Sequence, residues 1–404
     1  MTVFFYILFF YSGLIKSILL FYNIDIQIDF TLLSGALLTF NIALSLIKNN
    51  FKIRISKTIF YSSLALLLFS TWIFFTLFFT PSKEYAFIKS FYFLTNLLIF
   101  LYPLIINNFN VKSFIKLNLL FVLTFAIWYF WVDLNSSSFI YLSVKYYIYS
   151  SLYLTISTLL GLNLLIFLTA GTSIFKKKIY DIIIVFITIG FMFLIRGRGP
   201  LIFAVFTSIL YLIYNTLKSK KIKFKISINK IITASFIFSL FITIGIFIII
   251  KFEDEIFIML SQTLKRFDVM LSGVQTNDMG ASVNTRMLHI NASIDLIFNN
   301  TYNFITGYGI GSYRLLFEGI DGRLYPHNII LEITVEIGLI GLILFSIYLF
   351  FNLLYSKKHN IYISYFVIIY IILNVLKSSS LVDLRIYFAI FSLFLILNTN
   401  KKTV

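Results

Sequence analysis

The chain has 404 residues, of which 60% are hydrophobic and 12% charged, with a formal net charge of +17 and no cysteine. A soluble domain cannot hide that much apolar surface, whereas a multi-pass membrane protein leaves it facing lipid. The lack of cysteine excludes disulfides, zinc–thiolate sites and thiol chemistry. The basic residues fall in short clusters between apolar runs, a pattern of membrane topology and not of nucleic-acid binding.

In chain order, the apolar runs predict twelve transmembrane helices, near 3–22, 30–47, 58–79, 86–106, 115–134, 148–170, 180–195, 200–217, 231–250, 328–351, 361–377 and 384–398. The expected fold class is therefore all-α, a polytopic integral membrane protein with 1–404 as a single membrane domain. Val3 to Tyr22 has no basic n-region and no small-x-small cleavage site, so it is expected to stay as a transmembrane helix. Lys16 interrupts that span as a snorkelling or structural residue. The joints at 48–57, 107–116, 175–180, 218–230 and 356–360 are basic, and those at 23–29, 80–86 and 136–138 are not. This alternation places both termini in the cytoplasm.

Two joints depart from the pattern. IRGRGP (195–200) is a short connection on the non-cytoplasmic side with two arginines at the membrane edge. Residues 251–326 form one large external loop between spans 9 and 10. Within it, 282–300 reads as an amphipathic helix, with Met287, Ile290, Ile294 and Ile297 on an apolar face turned to lipid or to the bundle. Arg286, His289 and Ser293 share another face. GYGIGSYR (307–314) reads as a flexible turn.

Arginine beside a membrane interior is a functional candidate. Arg196 and Arg198 border Gly197 and Gly199 at a helix start, an arrangement suited to a phosphate; the alternative is an ion pair with an acidic loop residue. Arg286 heads its helix, where a cation opposes the helix dipole, as if held for an external anion or a carboxylate. Asn328, Glu332 and Glu336 advance by four and form a stripe that must avoid lipid. The two glutamates suit general acid–base work or the holding of helices or arginines. Gly338 and Gly341 would let another helix pack closely. His327 at the helix entrance is a natural proton acceptor, with an interfacial hydrogen-bonding role as the alternative, and His289 is a second candidate base. Asp383 and Arg385 suggest an internal ion pair. Glu253, Asp254 and Glu255 fit a divalent cation or a solvated turn, and the latter fits better because adjacent residues diverge on a helix. No metal-ligand spacing and no cofactor motif is present.

These residues together describe a site for an anionic, lipid-linked substrate at the outer membrane face. His327-Asn328, nine residues and then GLIG (338–341) resembles the motif of the O-antigen ligase and O-antigen polymerase superfamily. RGRGPLIF (196–203) resembles the family's helix start after a short periplasmic turn. NTRMLHINASIDLIFNNTYNFITGYGIGSY (284–313) is similar to its arginine-headed loop helix and Gly-x-Gly turn.

The resemblance implies a metal-independent, inverting glycosyltransferase of the bacterial inner membrane. It would move a glycan from undecaprenyl diphosphate in the periplasm. Arg198 and Arg286 would hold the diphosphate with support from Arg196, His327 would act as base, and Asn328, Glu332 and Glu336 would support the site. A polymerase, passing the chain to another lipid-linked repeat unit, is favoured over a ligase acting on lipid A core, because the long loop with its GYGIGS turn looks more like polymerases. The polymerase reading implies a chain-length regulator as a partner protein. A lipid-linked oligosaccharide flippase is the rival of another class; it predicts two related halves and a central charged cavity.

Overall fold

The computed structural model describes residues 2–24, 29–52, 56–106, 109–134, 144–170, 174–175, 177–195, 197–218, 281–354 and 365–399. The predicted span 231–250 and most of the large loop, with Glu253, Asp254, Glu255 and Arg266, lie outside the described residues, as do Asp25, Arg196 and His359.

The described chain is helical and contains no strand. Its helices are α1 Thr2–Phe10, α2 Ser12–Phe21, α3 Phe30–Lys48, α4 Lys57–Phe75, α5 Tyr85–Ile105, α6 Val111–Leu134, α7 Val144–Thr169, α8 Lys178–Leu194, α9 Arg198–Lys218, α10 Ala281–Asn299, α11 Thr301–Thr306, α12 Tyr313–Glu318, α13 Ile329–Leu354, α14 Tyr365–Ser378 and α15 Arg385–Thr399. Seven of them are long and apolar enough to cross a membrane, or eight with the α1–α2 pair, which bends by 58°. Only helices satisfy every backbone group within a single segment, which is why apolar runs of this length take this form in lipid. The protein is an all-α, polytopic membrane protein.

The chain forms two compact units, residues 1–119 with 282–404, and residues 120–281. In the first, α4 packs along α13, α5 along α15, and α11 against α13. Its centre is aromatic: Phe388 lies 5.8 Å from Tyr348, 6.2 Å from Phe93 and 6.2 Å from Phe100, measured between ring centroids. Buried polar groups in this core are bonded across helices, Ser62 to Asn352 at 2.8 Å and Asn96 to the Leu381 carbonyl at 2.9 Å. Interhelical bonds of this kind replace the water that the bilayer lacks.

Asp29 caps α3, its carboxylate accepting from the Thr31 amide at 2.8 Å, and it pairs with Lys16. The structural alternative for Lys16 thus has a partner. Arg385 does not pair with Asp383 as expected. Asp383 meets Arg323 at 3.3 Å, while Arg385 donates to the Phe9 carbonyl at 3.2 Å and the Ser12 hydroxyl at 2.5 Å, at the break between α1 and α2. A bend in an apolar helix leaves backbone groups in need of partners, and a nearby guanidinium supplies them.

In the second unit α7 packs against α8 and α9. Ser157 donates to the Gly197 carbonyl at 3.4 Å, and a Cβ on Gly197 would fall 2.2 Å from that hydroxyl oxygen. Glycine is therefore required where the backbone turns into α9 against α7.

Candidate active site

The site begins at the start of α13. Asn328 caps this helix, accepting from the amides of Ile330 at 2.9 Å and Leu331 at 3.2 Å. Its polar side chain, read from the sequence as part of a supporting stripe, is engaged in starting the helix. His327 precedes it with φ +57°. The left-handed region is uncommon for a residue with a side chain, and such conformations concentrate at functional positions.

The half-buried His327 ring lies 4.4 Å from the Tyr325 ring and 5.7 Å from that of His289. His289 is buried on α10, where its Nδ1 lies 2.9 Å from the Tyr313 hydroxyl and its ring 4.9 Å from Phe317. On α10 the residues turned inward are His289, Ser293 and Ile297, while Met287, Leu288, Ile294 and Phe298 are exposed. Of the two orientations open to the apolar face, packing on the bundle is not adopted by Met287 and Ile294. The polar face goes inward because His289 finds Tyr313 and the Ser293 hydroxyl bonds the His289 carbonyl at 2.6 Å.

Arg286 stands one turn before His289 on the same helix, a spacing of three that puts both on one side. Among the described residues no carboxylate pairs with it. It acts electrostatically on His327 and Tyr325. Burial, then the Arg286 charge, then His289 lower the His327 pKa to about 4. Burial also lowers that of His289, against the pull of Glu318, and pushes the Tyr313 hydroxyl up to about 12. At neutral pH the His327 imidazole is uncharged and able to accept a proton.

Glu332 and Glu336 form a separate, dry cluster. Both are fully buried around Lys89 of α5, whose ammonium lies 2.5 Å from Glu332 and 2.7 Å from Glu336. Glu332 also accepts from the Ser380 hydroxyl at 2.7 Å and the Leu381 amide at 3.0 Å, and Glu336 from the Gly311 amide at 2.9 Å. Of the roles open to the glutamates, this arrangement holds helices, through a lysine that the sequence reading passed over. A signal was present: two carboxylates in one apolar span call for a cation in another, and Lys89 sits inside the predicted span 86–106.

The glycine turn is hydrogen-bonded to α13. α13 breaks at Gly338, whose φ is +73° and ψ −175°, and the carbonyls released there accept from the turn. Tyr308 donates to Val335 at 2.9 Å and Gly309 to Glu336 at 2.8 Å, while the Trp72 indole donates to Ile337 at 2.9 Å. A Cβ on Gly307 would fall 2.4 Å from the Glu336 carbonyl oxygen. Gly338 admits the C-terminal end of α11, where an added Cβ would fall 2.3 Å from the Ile305 carbonyl oxygen, and Gly341 faces Trp72 of α4.

His327, Arg286 and His289 are therefore brought together, with Asn328 as the cap beneath them. Arg198 opens α9 in the second unit and is half-buried. Among the described residues no three His, Asp or Glu side chains gather as metal ligands would.

No curated protein matches the chain. Residues 183–346, from α8 into α13 and including Arg198, Arg286 and His327, match the family model described as O-antigen ligase. Over these residues the chain is similar to that family, which is consistent with the O-antigen polymerase and ligase superfamily.

Proposed function

We propose that the protein is an O-antigen polymerase of the bacterial inner membrane, with both termini in the cytoplasm and its active site in the periplasm. The acceptor hydroxyl of one undecaprenyl-diphosphate-linked repeat unit attacks the anomeric carbon of the glycan on another. The new glycosidic bond forms as the bond to the diphosphate breaks, with inversion and without a metal ion. His327 takes the hydroxyl proton. Arg286 and Arg198, supported by Arg196, hold the diphosphate and neutralise the charge that develops on it as it leaves.

The observation that carries this reading is an uncharged, half-buried His327 beside Arg286, a base next to a cation that no described carboxylate neutralises. A ligase would use the same chemistry with lipid A core as acceptor, and the family description supports that second reading. The polymerase is favoured by the long loop and its GYGIGS turn. A chain-length regulator is the partner protein this reading implies. A flippase has no use for the base.

Lipopolysaccharide from a strain lacking the gene, compared on a gel with the complemented strain, tests the proposal. Core bearing a single repeat unit is the expected result. Bare core with polymer accumulating on the lipid carrier would replace polymerase with ligase. Bare core with single units held on the cytoplasmic side would replace it with flippase, and an unchanged ladder would remove O-antigen assembly altogether.

A further inference from the structure

In the first unit the short joint between α4 and α5, at 76–84, fastens two segments that come 234 and 239 positions later in the chain. Thr76 accepts from the Ile310 amide at 3.1 Å and Thr80 donates to the Ile310 carbonyl at 2.9 Å, which ties the glycine turn to the joint. Ser82 donates to the Asp321 carboxylate at 2.7 Å, and the amides of Lys83 and Glu84 donate to it at 2.9 and 3.0 Å. These amides precede the first turn of α5, where Glu84 occupies the cap position and makes no side-chain cap bond. Asp321 therefore caps α5 from a distant part of the chain. Its carboxylate lies at the positive end of a helix, on donors that have no partner within that helix. Hydrogen bonds to an ionised acceptor are about twice as strong as neutral ones.

Asp321 belongs to the strap between α12 and α13, residues 319–328, which also carries Arg323, Tyr325 and His327. At the far end of the strap Pro326 is buried and Asn328 caps α13. In its middle Arg323 meets Asp383 at 3.3 Å, but these side chains are 62% and 41% exposed, and a pair so open to solvent contributes little. Asp321, with three donors on one carboxylate, is the stronger tie. His327 takes φ +57° within this strap, its ring 4.4 Å from Tyr325 and 5.7 Å from His289. A residue keeps such a conformation only where its surroundings over-determine it.

We propose that Asp321 is a positioning residue of the candidate active site: by fastening the strap to the start of α5, it sets the place of His327 and Tyr325 against His289. Asp321 acts through His327, so the proposal rests on the reading of His327 as the base. It adds a carboxylate that the glycosyl-transfer argument does not use, and it makes the α4–α5 joint the fixture that holds the strap and the glycine turn together.

The test is an NMR titration of histidine ring carbons in the full-length protein in nanodiscs, with glycan transfer assayed on the same preparations. The Arg286 cation, the His289 imidazole and the Tyr325 ring face His327, and burial is the first cause of its low pKa. In Asp321→Ala the released strap should expose the ring, so the His327 pKa should rise from about 4 toward ~6.5. The kcat should fall by up to about 10²-fold, the cost of a misplacement of about 1 Å, with KM little changed. Asp321→Asn, whose side-chain carbonyl still accepts from the amides, should recover most of both effects. Ser82→Ala should act in the same direction, more weakly, and should add nothing in the Asp321→Ala background. Should Asp321→Ala not accumulate in the membrane, Ser82→Ala decides by whether the His327 titration moves. A His327 titration that stays in place, with or without a fall in transfer, would overturn the proposal. A titration that moves in a protein whose wild type transfers no glycan would keep the tie between Asp321 and His327 and reject the transferase reading.

Discussion

Two polar clusters flank the first turns of α13, and they are built on opposite principles. Around Lys89, two carboxylates and one ammonium are wholly removed from solvent, with hydroxyl and amide partners supplied by Ser380, Leu381 and Gly311. Around His327, an imidazole in a left-handed backbone conformation shares its surroundings with a second histidine and with Arg286, and no described carboxylate balances that cation. The first cluster has its partners inside the protein, whereas the second is short of negative charge. Proximity along the chain therefore says little about role. The completeness of the partner set distinguishes a brace from a binding site.

Substitutions can separate the two. His327→Ala is expected to lower glycan transfer by about 10²–10⁴-fold, the usual contribution of a positioned base, with the amount of protein in the membrane unchanged on an immunoblot. Arg286→Ala should cost about 10²–10³-fold, as loss of a donor aimed at developing charge does, again without loss of protein. Lys89→Met should behave in the opposite way. It strands two carboxylates in a dry interior at a cost of about 3–5 kcal/mol, so protein level and thermal stability should fall before any effect on turnover is resolved. Adding Glu332→Gln and Glu336→Gln to Lys89→Met should recover part of that loss. If Lys89→Met instead left abundance intact and removed activity, the brace would have to be counted as part of the site.

How much of this was visible in the sequence depended on how local each cause is. The apolar runs were legible because a helix must satisfy its own backbone in lipid, and α3, α5, α9 and α13 lie where the runs predict them. The stripe of Asn328, Glu332 and Glu336 followed from spacing alone. The Asn328 cap is local, two and three residues from its partners, whereas the pairing of the glutamates with Lys89 spans 243 and 247 positions of chain, to which no local pattern points. The anchoring of the glycine turn was hidden for the same reason. GYGIGS resembles any glycine-rich loop until the break at Gly338 offers it the carbonyls of Val335 and Glu336. Adjacency likewise suggested Asp383 with Arg385, but the bend between α1 and α2 claimed the arginine.

Smaller effects sharpen the comparison. Gly307→Ala meets the Glu336 carbonyl oxygen at 2.4 Å from a residue at φ +80°, and backbone strain of this kind costs about 1–3 kcal/mol, measurable as a lower melting temperature. A depressed His327 pKa means that the base stays uncharged as the solution is acidified through the ordinary imidazole range. The acid limb of kcat/KM should therefore fall near pH 4 and not near ~6.5. With the Arg286 cation removed, protonation of His327 becomes easier, and the residual activity of Arg286→Ala should show that limb moved to higher pH.

The central claim is that His327 is an uncharged base tuned by a cation awaiting an anion. The most direct test is a pH titration of the three histidines by NMR on protein labelled at histidine carbon, with His327→Ala identifying its signal. The account predicts an apparent pKa near 4 for His327 without ligand, rising when inorganic pyrophosphate is added and neutralises Arg286. A titration near ~6.5 that pyrophosphate does not move would contradict it.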